Sequence, residues 1–419
     1  MSAVSHRTDT RPIGLPWLQQ VPSQWSVRPL KFNLKLMNEP ARTSDQLVAL
    51  ENIEGWTGRF LETGSSFDGQ GAGFEANDVL FGKLRPNLAK VFIADRAGEA
   101  FGDLWVLRPQ EGCHPRFFFY QLLGSNFIDT VSASTNGAKM PRADWSYVGA
   151  LPSPTPMVDE QRAIATYLDR ETARIDGLIE KKARFIALLK EKRGAVIAHA
   201  VTKGVNRDAP MKDSGQPWLG EVPAHWEVTA AARLFTERDE RSPSGEEELL
   251  TVSHLTGVTP KSEKTVHMIE AESHEGYKIC EHGDLAVNTL WAWMGAMGTS
   301  PMRGMISPSY HVYTPGPALN PAYVDAIVRL PVFAHEVKRF SKGVWSSRLR
   351  LYPEGFREVR WPVPPKHEQE EITRNLAAHT ARIDTLITKT EQSIALLKEK
   401  RAALITAAVT GKIDVRSAA

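Results

Sequence analysis

The sequence predicts an α+β fold built twice: two pseudo-repeated globular α/β domains, and two long antiparallel helices that form a coiled-coil-like spacer. Three observations carry this. Glu160 to Val205 returns as Glu368 to Ile413, with about half the aligned positions identical and TARID-x-LI and IALLKEKR intact in both copies. Gly14 to Val27 returns as Gly215 to Val228, in the shared pattern G-x-P-W-L-x-x-V-P-x-x-W-x-V. Proline-rich stretches, LPSPTP at 151–156 and WPVPP at 361–365, each lead through Glu-Gln into a copy of the first repeat. Two copies of a long segment must be explained before any single residue is.

The helix repeat is the most legible element. Ile164, Leu168, Ile175, Leu178, Ile179, Ile186, Leu189, Val196 and Ala200 recur at steps of three, four and seven, which places them on one helical face. No proline interrupts either copy, and only Gly177 and Gly194 weaken the first. About forty helical residues make a rod roughly 60 Å long, too long for an ordinary globular helix. Packing the two rods on each other buries both stripes, with polar spots expected at Lys182 and Thr390.

The tryptophan repeat cannot be helix, because two prolines and two tryptophans at fixed spacing describe an extended segment that docks on something. Its tryptophans read as anchors to a domain core rather than as a ligand site. Between this segment and each rod lies a globular region. In the first, strand-like runs fall at Asp78–Phe81, Lys90–Ile93 and Leu104–Leu107, with glycine-rich turns such as GSSFDGQGAG and a short helix after Pro115. The second keeps the order: Gly283-Asp284-Leu285 stands where Asn77-Asp78-Val79 stood, and Asn320-Pro321 where His114-Pro115 stood. The expected boundaries are a disordered leader at 1–12, a first domain at 13–157, a rod at 158–205, a linker at 206–213, a second domain at 214–366 and a second rod at 367–413. Antiparallel rods would relate the halves by a pseudo-two-fold axis and hold the domains apart like the jaws of a caliper.

Composition narrows the function. Lys and Arg number 51 against 49 Asp and Glu, so a basic surface must be local rather than global. Cys113 and Cys280 are the only cysteines and fit a reducing compartment. The N-terminus has no apolar leader, and no apolar run reaches the length of a membrane span, so a soluble, cytoplasmic protein is expected. Asn320-Pro321-Ala322-Tyr323 resembles the N-P-P-Y motif of amino methyltransferases, but its counterpart is His114-Pro115-Arg116-Phe117. The shared feature is a proline at a helix start. Gly82-Lys83 lacks the upstream glycine of a phosphate loop. Glu191-Lys192 and Glu399-Lys400 are ordinary solvated charges on the rods, and no histidine has zinc-ligand spacing. The sequence offers no catalytic residue and no metal site.

Binding residues are better supported. Lys83, Arg85 and Asn87 follow the run at 78–81, with Pro86 breaking it into a loop, and Lys139 and Arg142 flank a turn after Asn136-Gly137. In the second half Trp291 and Trp293 occupy the place of Leu84-Arg85-Pro86, while Lys342, Arg348 and Arg350 surround Trp345, Ser346 and Ser347. Arg and Lys suit phosphates; Arg, Asn and Ser can also reach base edges. On the first rod Tyr167 and Phe185 lie beside the stripe and are candidates for holding a partner helix.

Jointly these repeats resemble the specificity subunit of type I restriction-modification systems, over essentially the whole chain after residue 12. The resemblance rests on the paired PWL-x-x-VP-x-x-W segments, the rods opening on Glu-Gln, and the Asn/Gly-Asp turn followed by KLRP or TLWAW. It implies a non-catalytic subunit of a restriction endonuclease and adenine methyltransferase complex. Its two target recognition domains would each read one half of a bipartite, asymmetric site in double-stranded DNA. The rods would set the gap and dock two methyltransferase subunits, and restriction or translocase subunits would join them. S-adenosylmethionine and ATP would belong to those partners, with no cofactor on this chain and no membrane contact. KLRPNL against TLWAWM implies unlike half-sites. Two rival readings are a protein-binding coiled-coil scaffold, which explains the loop cations less well, and a self-sufficient methyltransferase, which would have to bind S-adenosylmethionine.

Overall fold

The computed structural model describes residues 5–15, 18–42, 45–64, 70–135, 137, 139–264, 273–343 and 349–416. Pro16, Trp17, Asn136, Trp345, Ser346, Ser347 and Arg348, and residues 65–69 of the glycine-rich turn, lie outside them. The chain divides into two units, Met1–Ala183 with Glu391–Ala419, and Arg184–Thr390. Each unit contains one globular domain, the half of one long helix that adjoins it, and the far half of the other.

The first unit is built on a four-stranded antiparallel sheet: β1 (Leu34–Met37), β2 (Val79–Gly82), β3 (Val91–Ile93) and β4 (Leu104–Pro109), in the order β1-β4-β2-β3. Alternation along β2 sorts its side chains between two cores. Val79 and Phe81 face the aromatic helix Pro115–Leu123, and Leu80 faces Val48, Phe74 and Val106. Phe117, Phe118 and Phe119 are all buried, each worth about 1.5–3 kcal/mol relative to exposure.

The second unit repeats the plan: β5 (Phe235–Arg238), β6 (Leu285–Val287), β7 (Met297–Thr299) and β8 (His311–Pro315), in the order β5-β8-β6-β7. Leu285 and Val287 enter one core and Ala286 the other. The turn into each central strand explains its dipeptide. Asn77 (φ 73°) and Gly283 (φ 88°) are both left-handed, a conformation that glycine adopts freely and asparagine tolerates. The following aspartates are buried and paired with arginines from different strands. Arg108 on β4 binds Asp78 with two bonds of 2.8 and 2.9 Å, and Arg238 on β5 reaches Asp284 at 2.7 Å.

The proline-rich leads are strands, Pro152–Thr155 and Arg360–Val363, each paired antiparallel with the strand that closes the tryptophan repeat, Ser26–Pro29 or Glu227–Ala230. Each then enters a long helix, Val158–Lys203 or Lys366–Val409. The Glu-Gln at each start anchors the domain. Trp25 Nε1 donates to Glu160 at 3.2 Å, and Trp226 Nε1 to Glu368 at 3.0 Å. Gln161, fully buried, accepts from the His114 amide and donates to the carbonyls of Gly112 and Pro156. Gln369, also fully buried, repeats this with Asn320, Ala318 and Pro364. Trp25 and Trp226 are therefore anchors, as their spacing predicts, while Trp17 lies outside the described residues.

Within each unit the helix halves run antiparallel. In the first, Ile164 and Leu168 share a core with Ile405, Ala408 and Val409, and Arg401 binds Asp176 at 2.9 Å. In the second, Ala200 and Val201 share a core with Ile372 and Leu376, and Arg193 binds Asp384 at 2.9 Å.

Three expectations are corrected. The helices end at Lys203 and Val409 rather than at Val205 and Ile413, because Gly204 and Gly411 take positive φ and stop them. The described part of the leader, expected to be disordered, is paired. Ser5–His6 pairs with Ile413–Asp414, Thr10–Leu15 pairs with Leu18–Pro22, and Arg7 is buried in an ion pair with Glu160. Leu178 is 42% exposed although it fits the stripe.

Candidate nucleic-acid interface and partner surface

In the first unit the loop from β2 to β3 closes on itself, with the Gly82 amide donating to Lys90 O at 2.8 Å. Its tip is a tight 3-10 turn, Pro86–Leu88, flanked by Arg85 (φ 49°) and Ala89 (φ 47°), two left-handed residues that are not glycine. Such backbone persists only where surrounding bonds over-determine it, and it concentrates at binding sites. Here the bonds come from segment 139–143: Arg85 N donates to Pro141 O at 2.8 Å, Ala143 N to Lys83 O at 2.9 Å, and Leu84 bridges Arg142. Lys83, Arg85, Asn87, Lys139 and Arg142 thus meet on one surface, a juxtaposition of two loops made by these bonds.

The five are not equivalent. Arg142 is clamped by Asp103, both bonds at 3.0 Å, and Lys83 Nζ lies 4.0 Å from the same carboxylate. Arg85 is exposed, with its guanidinium only 3.5 Å from the Lys139 carbonyl. Asn87 and Lys139 are exposed, and so are Leu88 and Met140 beside them. Asp103 carries no sequence signal, because its role exists only once β4 lies beside the loop.

In the second unit the corresponding loop, from β6 to β7, carries the 3-10 turn Ala292–Met294 and a left-handed Gly295. Trp291 is 49% exposed, and Trp293 is partly covered, with Lys338 Nζ 5.9 Å from its ring centre. Lys342 and Arg350 exchange two backbone bonds of 2.9 Å, and Leu351 N donates to Thr289 O at 3.0 Å, which ties this ladder to the loop. Trp291, Trp293, Lys342 and Arg350 therefore come together. Lys338, one of the clustered cations of this half, joins them, as do Leu290 and Met294, which were not singled out from the sequence. Both units thus present the β-turn-β loop of the sheet beside the segment that follows a helix, Ser125–Ala133 in one and Pro331–Arg339 in the other.

The partner candidates separate. Phe185 is 45% exposed on the first long helix, with Leu188 also exposed three residues on. Tyr167 is 7% exposed and packs in the core of the first domain, so its expected role in docking is withdrawn. Its position one residue from Leu168 put it beside the stripe, but the domain's aromatic helix covers that side as well.

Among the described residues no group of three His, Cys, Asp or Glu side chains could hold a metal ion, and no helix is long and apolar enough to cross a membrane. Burial pushes the Cys280 thiol up to about 12.

With this geometry in place, the chain resembles, in sequence and in fold, the specificity subunits of type I restriction-modification systems. It is 24% identical over 250 residues to the type I restriction enzyme EcoDI specificity subunit of Escherichia coli, a match covering 54% of this chain and 51% of that protein. The chain therefore spans about half the length of the curated relative it matches. The HsdS subunit of Thermoanaerobacter tengcongensis shares its fold, with a TM-score of 0.55, 16% identity, and coverage of 94% of this chain and 98% of that one. A chain from a structure addressing complex assembly and conformational transition of the type I R-M system gives a TM-score of 0.70, 16% identity, and coverage of 94% and 99%. No protein-family model matches.

Proposed function

We propose that this chain is the non-catalytic, DNA-reading specificity subunit of a type I restriction-modification complex. The observation that carries the reading is the pair of equivalent loop clusters, each set by the same two segments of a repeated domain and each rimmed with Lys and Arg. Each domain acts as a target recognition domain and reads one half of a bipartite, asymmetric site. The long helices set the gap and dock two methyltransferase subunits through surfaces such as that around Phe185. Restriction or translocase subunits join that assembly, and the methyl donor and ATP bind the partners. The place of action is the cytoplasm. Lys139, Lys338 and Lys342 serve phosphates, which makes affinity fall steeply with salt.

The test is sequencing of methylated bases in a host carrying or lacking the chain. One split, non-palindromic motif is expected to lose its methylation when the chain is removed. An unchanged methylation pattern in a host with an active partner methyltransferase defeats the reading. Purified chain alone is expected to transfer no methyl group to DNA.

A further inference from the structure

The two loop tips differ in chemistry. In the first domain the exposed tip carries Arg85 and Asn87, which are hydrogen-bonding side chains. In the second, residues 288–295 contain no charged side chain, and Asn288 and Thr289 are buried. What the tip exposes is Leu290 at 45%, Trp291 at 49% and Met294 at 38%. Single exposed apolar residues are common, but three within five positions at one loop tip form a patch. Exposed Lys338 and Lys342 and the partly covered Arg350 flank that patch. A cationic rim around an apolar centre complements a polyanion that presents an apolar group between its phosphates. On a duplex, the major-groove edge that fits is the C5-methyl of thymine, since the other base-edge groups there donate or accept hydrogen bonds.

Resting on the DNA-reading function above, we propose that the second domain reads thymine through its methyl group, with Trp291 and Met294 as the contacting side chains and Lys338 and Lys342 on the flanking phosphates. Trp293 has another task. Its indole N–H donates to Leu290 O at 3.0 Å and its ring lies under Lys338, so it braces the tip. The half-site of this domain then contains at least one position where thymine is required for its methyl, whereas the half-site facing Arg85 depends on hydrogen bonds.

The experiment starts from a duplex selected out of a randomised pool by the full-length chain bound to its methyltransferase partner. Each thymine of that duplex is then replaced, one at a time, by deoxyuridine, which pairs identically and lacks only the methyl. Binding is expected to fall roughly three- to tenfold at one or two positions, all within one half of the site. That sensitivity is expected to vanish in Trp291→Ala and to persist in Arg85→Ala. Met294→Ala and Trp291→Leu provide the same comparison if Trp291→Ala loses its melting transition. Uniform tolerance of uracil overturns the proposal, as does sensitivity that survives all three tip variants. Loss of methyltransferase association in Trp291→Ala, with uracil sensitivity intact, assigns the patch to a protein partner and also overturns it. Failure to enrich any sequence from the pool is a different result, which defeats the DNA-reading function itself.

Discussion

Glu160 and Trp25 are 135 residues apart in sequence, and Glu368 and Trp226 are 142 apart, yet each pair is joined by one hydrogen bond. The neighbouring glutamines do more. Gln369 has no exposed surface and meets one amide and two carbonyls. Removing its side chain leaves the buried Pro364 carbonyl without this partner, at about 1–3 kcal/mol, and strips the part-buried Asn320 amide and Ala318 carbonyl of theirs. Gln369→Ala is expected to lower the thermal midpoint of the second unit, read by differential scanning calorimetry, while Arg374→Ala at an exposed position of the same helix leaves it unchanged. Asp414 offers a pH test. Hydrogen bonds from Arg416 hold its carboxyl down at about 2 against an ordinary 3.8. A depressed carboxylate stabilises the fold above its unfolded value and loses that contribution as pH falls through the folded one. The pairing of Ser5–His6 with Ile413–Asp414 is therefore expected to loosen between about pH 4 and pH 2. Amide exchange at His6 and Arg7 would report it, and Asp414→Asn is expected to remove the pH dependence. In the candidate interface, Arg85→Ala is expected to weaken DNA binding by about 1–3 kcal/mol and relax one position of one half-site. Arg142→Ala, whose guanidinium is already held by Asp103, is expected to disturb the loop without changing which base is read. Competition binding against single-base variants separates the two. The candidate cations were legible in the sequence because Pro86 and the Gly137 turn mark loops. Their ranking was not, because Asp103 approaches only when β4 pairs with β2.

At the scale of elements, the long helices were legible almost whole. Apolar residues at steps of three and four determine a helical face without reference to anything else in the chain. Two details escaped. Gly204 and Gly411 end the helices through positive φ, and the repeated Val-Thr before them carried the apparent repeat past the true ends. Leu178 lies on the predicted stripe but faces solvent, and Tyr167 lies beside it but is buried. A helix touching both a second helix and a domain is buried over a wider arc near the domain and a narrower one far from it. Phe185 is exposed on this helix, and its ring beside Leu188 is the surface proposed for the methyltransferase. Phe185→Glu is expected to reduce co-purification of the methyltransferase while leaving the melting temperature of the chain itself within a degree or two. Unchanged co-purification would remove this surface from the proposal.

For the molecule as a whole, the proposed role of the helices as a ruler makes a length prediction. An α-helix rises about 1.5 Å per residue, and duplex DNA advances about 3.4 Å per base pair. Four residues inserted in each long helix add roughly 6 Å and keep the apolar face nearly in phase, since a turn holds about 3.6. Suitable places are between Lys182 and Ala183 and between Thr390 and Glu391, where the packing face is already polar. The double insertion is expected to preserve both half-site sequences and to lengthen the unread gap by about one to two base pairs, as read from the methylated motif in a host expressing it. An active variant that keeps the original gap would show that helix length does not set the spacing.

What the sequence by itself determined is what depends on local spacing or on repetition. The doubled plan, the two long helices, the strands Val79–Gly82, Leu104–Pro109 and Leu285–Val287, Trp25 and Trp226 as anchors and the loops that carry cations all follow from residues read within a few turns of one another or from one copy read against the other. What only the tertiary structure decided is every partnership between distant segments: Glu160 with Trp25, Asp103 with Arg142, the leader with the strand after the second helix, and Tyr167 with the core rather than with solvent. The physical reason is that periodicity is a property of the backbone repeat and is written along the chain. The choice between a buried and an exposed side chain, or between a free and a clamped cation, depends on which remote surface the chain brings against it.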